Sequence, residues 1–155
     1  MFDKDRFIED CKLAMKDGQK AVREVVERAV SDPAAILREM GEPRHAGIVP
    51  LYRSSELTIM SFVWAPYMNV VPHNHNMYSV VGMYTGREDN LFWRRVDGSL
   101  EIASGQSLGA GDVTTLGRDI IHSVVNPISK KSAAFHVYGG DFLARWFTLC
   151  WQNHH

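Results

Sequence analysis

The sequence predicts an all-β core, a sandwich or a barrel, preceded by N-terminal α-helices. Three observations lead there. Apolar residues recur every three to four positions up to about residue 41, then give way to short β-rich runs after residue 45. Those runs are punctuated by glycine at fairly even intervals and do not alternate with helical patterns. The chain has 155 residues, 45% hydrophobic and 23% charged, enough to bury one core without staples.

The helical part comes first. Phe7, Cys11, Ala14 and Met15 share a three-to-four spacing, as do Val22, Val25, Val26, Ala29 and Val30. Gly18 interrupts them, giving two helices or one bent one. Ser31-Asp32-Pro33 reads as a stop and a restart, with Asp32 as N-cap and Pro33 at the first helical position. Gly41 closes a short helix carrying Ile36, Leu37 and Met40. Residues 1–45 are therefore expected to form a helical cover on the sheet.

Strands are expected at Leu57–Trp64, which stops at Ala65-Pro66, and at Tyr78–Thr85, ended by Gly86. Leu91–Val96 follows, then a turn at Asp97-Gly98 and a strand at Leu100–Ile102. Val113–Leu116, His122–Val125, Ala133–Tyr138 and Trp146–Trp151 complete the set. Residues 46–155 form the barrel of what reads as a single domain.

Composition removes several function classes. Lys+Arg is 17 and Asp+Glu is 18, a net charge of -1, so the chain carries no basic footprint for nucleic acid or an anionic membrane. No apolar run approaches the ~20 residues of a membrane span, and the polar N-terminus lacks a signal-peptide apolar region, so a cytoplasmic protein is expected. Cys11 and Cys150 lie far apart and read as free thiols. A monomer or homodimer acting on a small molecule fits this composition.

Among the seven histidines, Pro72-His73-Asn74-His75 stands out. In an extended segment, residues two apart point the same way, so His73 and His75 can present imidazoles to one metal. The surrounding spacing resembles the two motifs of the cupin family. The first places His-x-His ahead of an acidic residue and a later glycine, matched by His73, His75 and Gly86. The second is matched by Gly111, His122 and Asn126, with Gly117 and Asp119 at its proline and second glycine positions. The resemblance implies a double-stranded β-helix (jelly-roll) barrel with His122 as third ligand. The acidic position falls on Ser79 or Val80, neither a carboxylate, and Glu88 and Asp89 lie beyond Gly86. That leaves His73, His75 and His122. Three facial imidazoles with open positions suit Fe(II); Zn, Ni, Mn or Cu can also enter.

Beyond His122, the run Ala134-Phe135-His136-Val137-Tyr138 resembles the Ser-x-His-x-Tyr element of the cysteine dioxygenase-like thiol dioxygenases. The resemblance implies roles for His136 and Tyr138 beside the metal, with Ala134 truncating the element. It places Arg53 near the arginine that binds the substrate carboxylate, and Val80 where some members carry a crosslinked cysteine. The implied activity is oxidation of a small thiol, a thiol carboxylate, to a sulfinate by Fe(II) and O2. A three-histidine dioxygenase acting on carbon, an isomerase and a non-enzymatic binding module remain open alternatives on the same fold. Arg94, Arg95, Arg118 and Asp119 read as surface or turn residues, and His45 as a surface residue of the linker.

Overall fold

In the computed structural model, which describes residues 1–145, the N-terminal segment forms α1 (Lys4–Ala14), a 3-10 turn (Met15–Asp17), α2 (Gln19–Val30) and α3 (Pro33–Met40). Each break has a local cause. Asp3 caps α1 by accepting from Arg6 N at 2.8 Å. Gly18, at φ 93°, makes the turn between the first two helices. Asp32 caps α3, accepting from Ala35 N at 3.1 Å, with Pro33 next to it. No helix among the described residues is long and apolar enough to cross a membrane.

Nine strands follow: β1 (Gly47–Arg53), β2 (Thr58–Trp64), β3 (Asn69–His73), β4 (Ser79–Thr85), β5 (Arg87–Val96), β6 (Ser99–Gly109), β7 (Val113–Leu116), β8 (Ile121–Val125) and β9 (Ser132–Tyr138). They form a five-stranded sheet in the order β1-β2-β9-β4-β7 and a four-stranded sheet in the order β3-β8-β5-β6. Every pairing is antiparallel.

The helices cover the outer face of the five-stranded sheet. Alternate residues of β9 serve two cores: Ala133, Phe135 and Val137 join the helix-facing cluster with Val22, Val26 and Ile59, while Tyr138 joins the cluster between the sheets with Met60, Phe62 and Trp64. Burial on both faces explains why β2 and β9 read as continuous apolar runs rather than alternating ones. Gln19 fastens α2 to the sheet, donating to Ser79 O at 3.1 Å and Leu116 O at 3.0 Å. Phe135 is the hub of the outer core, fully buried with ring centroids 4.7 Å from Phe7, 4.9 Å from Tyr84 and 5.5 Å from Phe2. Phe135→Ala is expected to cost about 3–5 kcal/mol, read from urea unfolding as a lower midpoint at unchanged slope.

Two motif residues turn out to be scaffolding. Gly86 has φ 80°, and a Cβ there would meet the Ser132 backbone. Ser132 Oγ accepts from Arg87 N at 2.9 Å and donates to Asn126 Oδ1 at 3.1 Å. Asn126 Nδ2 in turn donates to Ala65 O at 3.0 Å and Lys130 O at 2.9 Å. The glycine of the first motif and the asparagine of the second therefore meet at Ser132, where they hold the strand connections together.

The structure adds to the strand set expected from sequence. β1 contains Pro50, which hides it from a pattern search; it is an edge strand, and its register shifts between Pro50 and Tyr52. β3 was expected only as an extended segment around His73. β5 and β6 are much longer than 91–96 and 100–102. β6 is an edge strand whose residues Ser99–Ser107 are all exposed, so no alternation marks it. The Asp97-Gly98 turn is present, with both φ values positive at 48° and 82°, as a two-residue hairpin loop requires. The strand expected at 146–151 lies outside the described residues, as do Cys150, His154 and His155. Cys11 is a buried free thiol pushed up to about 12 by burial.

Candidate metal centre

Two strands and one loop carry the histidines. His73 ends β3 and lies directly opposite His122 of β8 in the antiparallel register, so both side chains leave the same face. His75 follows two residues later, in the connection to β4. The three rings pack with centroids 4.6–5.0 Å apart. His75 Nε2 is 3.1 Å from His73 Nε2 and 3.3 Å from His122 Nε2, and one ligand atom from each ring lies within 4.8 Å of the others.

The opposite side of each ring is engaged. His73 Nδ1 donates to Val71 O at 2.8 Å, which fixes the proton on Nδ1 because a carbonyl can only accept. His122 Nδ1 lies 2.8 Å from Asn90 Oδ1, and His75 Nδ1 3.4 Å from Ser79 Oγ. Burial, the largest cause, lowers the pKa of all three rings; His122 falls to about 3. With their protons on Nδ1, His73 and His122 turn Nε2 lone pairs toward His75 Nε2, at 3.1 and 3.3 Å. Three neutral imidazoles with their Nε2 atoms gathered in this way offer a divalent cation three nitrogen donors. The donor set therefore fits a metal held by His73, His75 and His122. Ser79, fully buried and one of the two positions onto which the motif's acidic residue falls, touches His75 but offers no carboxylate.

Beside the rings is a cavity of about 20 Å³, room for little more than one water, with apolar walls from Phe62, Trp64, Val70, Val124 and Phe142. His136 and Tyr138 also line it. Tyr138 Oη is 3.0 Å from His136 Nδ1, and the phenol ring stacks on Phe142 at 3.9 Å and meets His75 edge-on at 5.1 Å. Thr58 Oγ1 seats Phe142 by accepting from its N–H at 3.0 Å while donating to Gly140 O at 2.7 Å. Burial raises the Tyr138 pKa and lowers that of His136 to about 3, so both stay neutral. His136 Nε2 is buried without a partner.

Arg53 does not reach this cavity. It ends the edge strand β1 and is exposed, with its guanidinium held in a two-pronged pair by Asp141 at 2.8 and 3.1 Å. A cation that the sequence did not single out lies closer. The charge of Arg145 acts on His75, and its Nη2 is 3.4 Å from Asn74 Oδ1, between the two ligand histidines. The sequence reading also passed over Asn90 and Glu88 as partners of the site. Their signal was the alternation Glu88-x-Asn90-x-Phe92, which puts two polar side chains on the same strand face as the residue opposite His122. Arg94 and Arg95 are both exposed, Arg94 pairing with Glu101 at 3.5 Å.

Known structures share this architecture. An RmlC-like cupin family protein of Methanocaldococcus jannaschii, with a double-stranded β-helix fold, matches with a TM-score of 0.54 at 13% identity over 66% of this chain and 87% of its own. A cupin superfamily protein of Desulfitobacterium hafniense matches at 0.51 and 16% identity over 68% and 88%. A protein of Bacillus halodurans matches at 0.59 and 14% over 68% and 77%. No family model matches the sequence. The chain has the double-stranded β-helix fold of cupins, with helices at its N-terminus, and carries a three-histidine cluster able to hold a metal.

Proposed function

We propose that this chain is a mononuclear metal-dependent oxygenase that uses Fe(II) and O2 to oxidise a small thiol carboxylate to the sulfinate. The observation that carries this reading is the convergence of three neutral imidazoles beside a small apolar cavity, with no carboxylate in the donor set. Fe(II) bound there would supply adjacent open positions for a thiol and O2. The overall change is balanced as RSH + O2 → RSO2H: two S–O bonds form, and sulfur gives up the electrons that O2 accepts.

The chain's own residues have distinct tasks. Three neutral ligands leave the metal's charge undiminished, which favours an anionic donor such as a thiolate. Arg145 adds positive potential on the same side as His75 and suits a carboxylate. The apolar walls leave room beside the metal only for the reacting ends of the substrates, so the rest of the thiol would extend toward the open mouth of the cavity. With the proton on His136 Nδ1, that ring donates to Tyr138 Oη and frees the phenol hydrogen to point into the cavity, where it can meet developing negative charge on oxygen.

The test is oxygen uptake by iron-loaded protein offered cysteine, 3-mercaptopropionate, cysteamine and a diketone in parallel. A carboxylate thiol should be the best substrate, and Arg145→Ala should raise KM for it while leaving cysteamine, which has no carboxylate, unaffected. Uptake with the diketone alone would transfer the assignment to carbon oxidation.

A further inference from the structure

Glu88 and Asn90 alternate with Asp89 on β5, and both are 2% exposed. Asn90 bridges two groups: its Oδ1 accepts from His122 Nδ1 at 2.8 Å, and its Nδ2 donates to Glu88 Oε1 at 3.0 Å. This orientation of the amide places the His122 proton on Nδ1 and the lone pair on Nε2, toward the other rings. The second carboxyl oxygen, Glu88 Oε2, is buried without a partner. Trp64 Nε1 acts on Glu88 but stands outside hydrogen-bond geometry and is likewise unpartnered.

A buried carboxyl either keeps its proton or requires a compensating cation, since an isolated carboxylate in an apolar interior is strongly disfavoured. No lysine or arginine is among the groups that act on Glu88. The cation its position calls for lies at the other end of the hydrogen-bonded chain. We propose that Glu88 is the charge-compensating and positioning residue of the metal centre, acting through Asn90 on His122 and releasing its proton to solvent when a divalent metal binds. The proposal rests on the three histidines holding a metal. It accounts for the all-neutral donor set: the negative charge is supplied from two hydrogen bonds away instead of by a ligand.

The groups around Glu88 leave it as the responsive one. Burial raises its carboxyl to about 7, against the opposing effects of Asn90 and Trp64, and Asp89 adds to the rise. Asp89 is paired with Arg87 at 2.8 Å and held below the usual carboxylate range, so it remains an anion. Tyr138 from β9 feels the Glu88 charge, and its hydroxyl is raised further, so it remains a phenol. Leu108 of β6 lies opposite in register and carries no charge. Near pH 6 the metal-free chain therefore keeps Glu88 mostly protonated, and a nearby dication favours the anion.

The test is calorimetric titration of metal-free protein with Co(II) at pH 6, in two buffers of different ionisation enthalpy, to count protons released per metal. Wild type should release more than Glu88→Gln, by an amount approaching one proton. Glu88→Gln should bind Co(II) about 10–100-fold more weakly. The rings and any metal-bound water contribute to both proteins, so the difference belongs to Glu88. Equal release from two proteins that both bind Co(II) overturns the proposal and leaves the metal centre standing. A wild type that binds no Co(II) overturns the metal centre itself. If Glu88→Gln does not fold, the wild-type infrared difference spectrum decides: metal must convert a protonated carboxyl band to carboxylate, and its failure to do so refutes the proposal.

Discussion

His122→Ala is expected to purify without stoichiometric metal and to keep its fold. His122 sits in mid-strand on β8, hydrogen-bonded across the sheet to its neighbours whatever its side chain, so the backbone has no reason to rearrange. The loss falls on the site. His73 and His75 alone leave a two-nitrogen donor set, and Asn90 Oδ1 is left without its His122 Nδ1 donor. Partners outside the ligand set are typically worth about 10–100-fold in metal affinity, and a ligand should exceed that. Metal analysis beside circular dichroism checks both halves. Undiminished metal in a folded His122→Ala protein would show that the histidines are packed rings and not ligands.

Tyr138→Phe carries the largest expected effect on turnover among variants that keep the metal. The substitution leaves the ring stacked on Phe142 and removes only the hydroxyl. A donor aimed at developing charge is typically worth about 10²–10³ in rate. The lower end is expected here, because nothing beyond His136 steadies it: its Nε2 has no partner, and residue 134 is alanine. Metal content should not change, which separates this variant from His122→Ala. Stability should fall by about 1–3 kcal/mol, the cost of stranding the buried His136 Nδ1. Unchanged turnover in metal-loaded Tyr138→Phe would reduce the His136–Tyr138 pair to a satisfied core contact.

The residues that could be read from sequence were those whose identity and spacing carry chemistry by themselves. The two-residue spacing of His73 and His75 marked them as a pair, although His75 lies in the connection after β3, and the helix boundaries at Gly18, Asp32-Pro33 and Gly41 follow from backbone preferences. Of the long β5–β6 hairpin only 91–96, the Asp97-Gly98 turn and 100–102 were legible, and the rest of β6 was not, because an exposed edge strand needs no apolar alternation. Arg53 was placed by resemblance to a family motif, which does not say which partner holds the side chain; Asp141, 88 residues away, holds it at the surface. Glu88 was set aside because it cannot be a ligand from beyond Gly86. Its link to the site needs the Phe92–His122 register, which only the folded sheet supplies.

The account stands most directly on whether one dication sits among three imidazoles. X-ray absorption of stoichiometrically iron-loaded protein measures that. The prediction is one metal per chain with three imidazole nitrogens at about 2.0–2.2 Å, the range of metal–imidazole bonds. A spectrum without imidazole scattering, or protein that retains no metal after gel filtration, would contradict it.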